Sequence, residues 1–135
     1  MKYFLFFLFF INIKSYPFQI EVVNITDKKA SVYIVVFDHK DGFPFKGEKG
    51  IFKWKGTPAE AEKGVSTGLP DGNYAVAVFQ DTDGNGELTK WFFGKPREPY
   101  GLLGAVEKPK KKPDFSENSK KISRDSVLQI RLWEP

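Results

Sequence analysis

The 135 residues suit one ordinary domain, and a formal charge of +4 is too weak to argue for nucleic acid or a membrane surface as partner. The chain has no cysteine, which excludes disulfides and a lipid-modified cysteine. One histidine leaves too few of the usual ligands for zinc.

In chain order, the start reads as a secretory signal. Lys2 supplies the positive end and residues 4–11 are an unbroken apolar run. That run is far shorter than the roughly 20 residues that span a bilayer, and polar Asn12, Lys14 and Ser15 follow it. No A-x-A pattern marks the cleavage point. Residues 1–16 are assigned to the signal and 17–135 to one domain, periplasmic or extracellular, with no membrane span once the signal is removed. Loss of Lys2 and Lys14 leaves a formal charge of +2.

The domain reads as short strands between turn clusters. Residues 18–22 alternate apolar and polar, as a half-buried strand does. Residues 27–29 make a turn, and residues 31–37, rich in β-branched and aromatic side chains, predict a central strand. Asp41-Gly42-Phe43-Pro44 breaks it, and residues 51–55 alternate again. Thr57 as N-cap and Pro58 in the first helical position predict one helical turn over residues 57–62. Residues 65–69 form a short strand. Residues 74–80 make the strongest strand, with Tyr74, Val76 and Val78 on one face and Ala75, Ala77 and Phe79 on the other. Two apolar faces place it centrally, and the small alanines leave room for another element to pack close. Residues 81–125, broken by Pro96, Pro99, Pro109 and Pro113, predict a long irregular region. In the closing strand, residues 126–133, Leu128, Ile130 and Leu132 alternate with Gln129, Arg131 and Trp133. No helix-period segment of useful length and no internal repeat is present. The pattern predicts an all-β protein, a single small antiparallel sandwich of immunoglobulin-like kind with one long loop region, and a closed barrel as the rival.

Chemistry concentrates directly after the strongest strand, in Asp81-Thr82-Asp83-Gly84-Asn85-Gly86-Glu87-Leu88. Counted from Asp81, oxygen donors fall at positions one, three and five as Asp81, Asp83 and Asn85. Glycine follows at six, and Glu87 offers its carbonyl at seven. That is how a chain wraps calcium. Thr89 at position nine reaches the ion directly or through water. Phe92 stands where an EF-hand loop has its bidentate Glu, so a second loop must contribute, with Glu98 and Asp38 as candidates. The same residues also suit a plain turn, because Asp-Gly and Asn-Gly favour positive φ.

Other chemistry is thinner. His39 beside Asp38 and near Asp41 makes a Ser-His-Asp group formally possible, but no serine lies in a Gly-x-Ser-x-Gly elbow. No phosphate-binding glycine loop opens a helix. The aromatic set Trp91, Phe92, Phe93 and Tyr100 either packs the long loop or forms a recognition patch. Lys108-Pro109-Lys110-Lys111-Lys112-Pro113 is either a solvated loop or a contact for an anionic partner.

Three segments carry a resemblance. They are Val32-Tyr33-Ile34-Val35-Val36-Phe37-Asp38 with Gly42-Phe43-Pro44; Leu69-Pro70-Asp71-Gly72-Asn73-Tyr74-Ala75-Val76-Ala77-Val78-Phe79; and Asp81 to Leu88 with Gly94-Lys95-Pro96-Arg97-Glu98-Pro99-Tyr100-Gly101. Together they resemble the bacterial secreted family called domain of unknown function 2141, over nearly all of the mature chain. The resemblance implies a small exported protein with a transthyretin-like (prealbumin-like) or related sandwich, and no established activity. Thr89 stands where that family usually has Asp, Trp91 where it often has Asn, and Leu102 and Leu103 where it favours aromatic and polar residues. A ligand site shared by the family is thereby altered here.

The expectation is an exported, non-enzymatic sandwich that binds an unknown protein or glycan, tuned by calcium. Asp81, Asp83 and Asn85 contact the ion, with Glu87 and Thr89 as further contacts, and Trp91 and Tyr100 offer a ligand surface. A secreted hydrolase using loop carboxylates is the alternative, and a purely structural domain a third reading.

Overall fold

The computed structural model describes residues 16–86 and 97–135. The expected signal, apart from Tyr16, therefore lies outside the described residues. The alternating segments become strands. β1 (Gln19–Val23), β4 (Val65–Ser66) and β8 (Val127–Arg131) form a sheet in the order β4-β1-β8. β2 (Ser31–Phe37), β3 (Phe52–Gly56), β5 (Gly72–Asp81) and β6 (Tyr100–Leu102) form a larger sheet in the order β3-β2-β5-β6, with β7 (Lys120–Ile122) paired to the start of β5. The two sheets make a small all-β sandwich. The helical turn expected at Thr57 is α1 (Pro58–Lys63), and α2 (Phe115–Asn118) is a second short helix.

Period-two patterning explains the layers. On β5, Tyr74, Val76 and Val78 face the space between the sheets, with Ile20 and Val22 of β1, Ile34 and Val36 of β2, and Ile130 of β8. All of these are at most 5% exposed. Burying each such side chain contributes about 1.5–3 kcal/mol against leaving it in water. Ala75 and Ala77 face outward, and the space their small side chains leave is filled by Phe43, Leu102, Ala105 and Phe115, beside Val35 and Phe37. Both sides of β2 and β5 are thus covered, as expected for the central pair.

Two expectations need correction. Residues 81–125 are not one irregular stretch, because β6, α2 and β7 lie within them. These elements span only three or four residues each, too short for periodicity to register against the flanking prolines. The sandwich is also not wholly antiparallel. β1 and β8 run parallel, with Gln19 opposite Val127 and Val23 opposite Arg131. Alternation marks which face of a strand is buried and is silent on its direction.

The sheets meet at one corner. Tyr100 and Trp133 exchange two backbone hydrogen bonds, N to O at 3.0 and 2.7 Å. Close approach there depends on Gly101, since a Cβ at that position would lie 2.3 Å from the carbonyl oxygen of Arg131. Sheet order shows no pairing of β3 with β4 among the described residues, so the rival closed barrel does not form.

Candidate functional site: an acidic loop closed by Glu98

β5 ends at Asp81, opposite Ser31 at the start of β2. Period-two alternation turns Asp81 to the same outward face as Ala77 and Phe79. Beyond it the backbone reverses, and Gly84 and Gly86 take φ of +75° and +76°, the left-handed region that glycine enters without strain. The aspartates hold the turn. Asp81 accepts from Asn85 N at 3.1 Å on Oδ1 and from Gly86 N at 2.8 Å on Oδ2. Asp83 Oδ1 accepts from the same Asn85 N at 3.1 Å.

Glu98 comes from the far side of the expected loop. Gln80 N donates to Pro99 O at 3.0 Å, which fixes residues 98–99 beside the end of β5. The Glu98 carboxylate then accepts from Thr82 N at 3.1 Å and faces Thr82 Oγ1 at 3.5 Å. One carboxylate oxygen from each of Asp81, Asp83 and Glu98 lies within 4.8 Å of the others. Glu98 is 1% exposed and Asp81 8%, whereas Asp83 is exposed. At an effective dielectric of about 20, two like unit charges about 5 Å apart repel by about 3 kcal/mol. The backbone amides offset part of that cost, and a divalent cation among the three oxygens reverses its sign. The donor set, three hard carboxylate oxygens, is of the kind calcium takes.

Of the sequence candidates, Asp81 and Asp83 converge, and Asn85 braces both through its backbone N–H. Glu87, Thr89 and Trp91 lie outside the described residues. Between the two candidates for a completing ligand, Glu98 is brought in. Asp38 follows the last residue of β2, and Phe37 pairs with Ala75 six positions before Asp81. Asp38 therefore sits at the opposite end of the sheet. Tyr100 is a correction. It is 6% exposed, packs against Phe79, and donates from its hydroxyl to Pro109 O at 3.1 Å. Burial raises its phenol pKa above the ordinary value of 10.0. It is a packing and anchoring residue, with no exposed ring to offer a ligand. His39 is exposed in the turn after β2, with Asp38 at 3.5 Å as its neighbour.

Sequence reasoning gave no weight to Tyr33, whose hydroxyl lies 3.7 Å from where a Cβ on Gly86 would stand. In a strand otherwise read as core, the only available signal was its phenol group.

A family model described as an uncharacterised protein conserved in bacteria (DUF2141) matches residues 20–129. The chain belongs to this family. The DUF2141 match runs from β1 into β8, so the acidic loop and Glu98 both fall inside the shared region. No curated protein and no solved structure matches the chain. Among the described residues no helix is long and apolar enough to cross a membrane.

Proposed function

We propose that this DUF2141 protein is an exported, non-enzymatic binding module of transthyretin-like type, whose loop after β5 is organised by calcium. The observation that carries the reading is the convergence of Asp81, Asp83 and Glu98 within 4.8 Å, with Glu98 almost fully buried. Glu98 supplies the contribution from a second segment that the loop's missing twelfth-position carboxylate requires. Export is supported by Lys2 and the apolar run that follows it. The two-sheet all-β sandwich supports the transthyretin-like assignment. A non-enzymatic role is supported by the spacing of the carboxylates. One oxygen of each lies in one small space, which suits a single cation better than the two faces of a sugar ring. Ligands are an unidentified protein or glycan.

Calorimetric titration of the protein with calcium tests this. The expected result is saturable binding with Kd on the order of 0.1–1 mM, the range of extracellular modules. The heat is lost in Asp81→Ala and in Glu98→Gln. Absence of heat up to about 10 mM, beyond that range, makes residues 81–86 a turn held by its own amides.

A further inference from the structure

The outer face of the larger sheet carries charge that the acidic loop does not use. Residues 45–55 and 106–114 hold eight lysines and three acids, a local excess of five positive charges in a chain of formal charge +4. The fold brings both segments to one face. Phe52 and Trp54 pack toward the main core, so alternation along β3 turns Lys53 and Lys55 outward. Lys55 Nζ lies 5.5 Å from the ring centroid of Tyr33, which stacks on Phe79 at 4.9 Å. Phe45 packs on Phe79 and Tyr100, and Lys112 Nζ lies 6.0 Å from its ring. The hydrogen bond from the Tyr100 hydroxyl to Pro109 O holds the run of Lys108, Lys110, Lys111 and Lys112 against this face. These six lysines are exposed. Among the described residues, none of them forms an ion pair.

The strip leads to an open groove of about 620 Å³ between residues 40–43 and 112–115. Phe43 and Phe115, edge to face at 5.9 Å, line it together with Lys40 and Lys112. Its two acids are occupied. Asp41 faces Lys49 at 3.8 Å, and Asp114 caps α2, accepting from Ser116 N at 3.4 Å and Ser116 Oγ at 2.7 Å. What remains for a ligand is the half-buried Phe115 ring between two ammonium groups.

We propose that this groove and the lysine strip bind an acidic polysaccharide, a polymer whose sugar rings carry carboxylate groups. The C–H face of a sugar suits the half-buried Phe115 ring, and its carboxylates suit lysines, which are point charges tolerant of varied approach. Nucleic acid fits less well. The Tyr33 and Phe45 rings already carry ammonium groups and offer no stacking platform. Neither segment contains an arginine to fork onto a base edge or phosphate. A planar bilayer meets the protruding lysines but cannot enter the groove.

Binding of the purified protein to polygalacturonate in chelator at low ionic strength tests the proposal. Neutral dextran, single-stranded DNA and phosphatidylglycerol vesicles serve as competing ligands. The expected result is saturable binding to polygalacturonate, none to dextran, and at least tenfold weaker binding in half-molar salt, because exposed charges are screened. The triple variant Lys110→Glu, Lys111→Glu, Lys112→Glu and the double variant Lys53→Glu, Lys55→Glu each weaken binding at least tenfold without lowering the melting temperature. Because the assay runs in chelator, calcium binding does not enter it, and the outcome is separate from that of the calcium reading. The proposal is overturned by wild-type affinity in both lysine variants, by no binding to polygalacturonate, or by tighter binding to DNA or to vesicles.

Discussion

At the scale of the residue, Thr57 shows how much local chemistry a short stretch encodes. Its hydroxyl accepts from Glu60 N at 3.2 Å, and the Glu60 carboxylate returns to Thr57 N at 3.1 Å, closing a capping box ahead of Pro58. Without that box a six-residue helix has little to start it. Thr57→Ala is expected to lower stability by about 1 kcal/mol, measured by chemical denaturation. The same bonds set a pH dependence. Hydrogen bonds from Thr57 hold the Glu60 carboxyl below its ordinary value of 4.5, and amide bonds from Lys29 and Ala30 hold Asp27 below 3.8. A depressed carboxyl stabilises the fold above its unfolded pKa and loses that contribution as pH falls through the folded value. The melting temperature is therefore expected to be flat above about pH 5 and to fall as acid is added below about pH 4.5, the ordinary glutamate range. Asp27→Asn should make the fall shallower, and an equal fall in that variant would remove Asp27 as a cause.

At the scale of the element, β5 and β8 were legible for different reasons. β5 has two apolar faces, and only a strand covered on both sides tolerates that. β8 shows a single apolar face of alternate residues, which placed it in a sheet but left its direction open. β6 was not legible, since Tyr100-Gly101-Leu102 is three residues long and follows a proline. Its role becomes visible only where Gly101 passes the Arg131 carbonyl. Gly101→Ala is expected to cost about 1–3 kcal/mol through forced separation of the two backbones. Gly47→Ala, where the nearest atom is Val35 Cγ2 at 3.5 Å, should change stability by less than about 0.5 kcal/mol. Equal losses in the two variants, read from denaturant midpoints, would show that the β6–β8 corner carries no special strain.

At the scale of the whole molecule, calcium would act as a modest staple. At about 1 mM free calcium and a Kd of about 0.1 mM, binding adds about 1.4 kcal/mol, a rise of several degrees in Tm for a domain of this size. Chelator should lower Tm by that amount in the natural protein and leave Asp81→Ala unmoved. A protein that melts identically in calcium and chelator would have no ion-organised loop. The amino-acid order by itself determined which face of each longer strand is buried, because side-chain alternation is a property of neighbours on one strand. It also determined the turn at Asp81 to Gly86, because glycine's freedom and the reach of aspartate to nearby amides are local. Only the tertiary structure decided that Glu98, and not Asp38, joins the two aspartates, and that lysines 53 to 59 positions apart share one face. Those pairings depend on β5 and β6 lying side by side and on Tyr100 anchoring the distant loop. A contact between remote segments is fixed by packing, and no spacing along the chain encodes it.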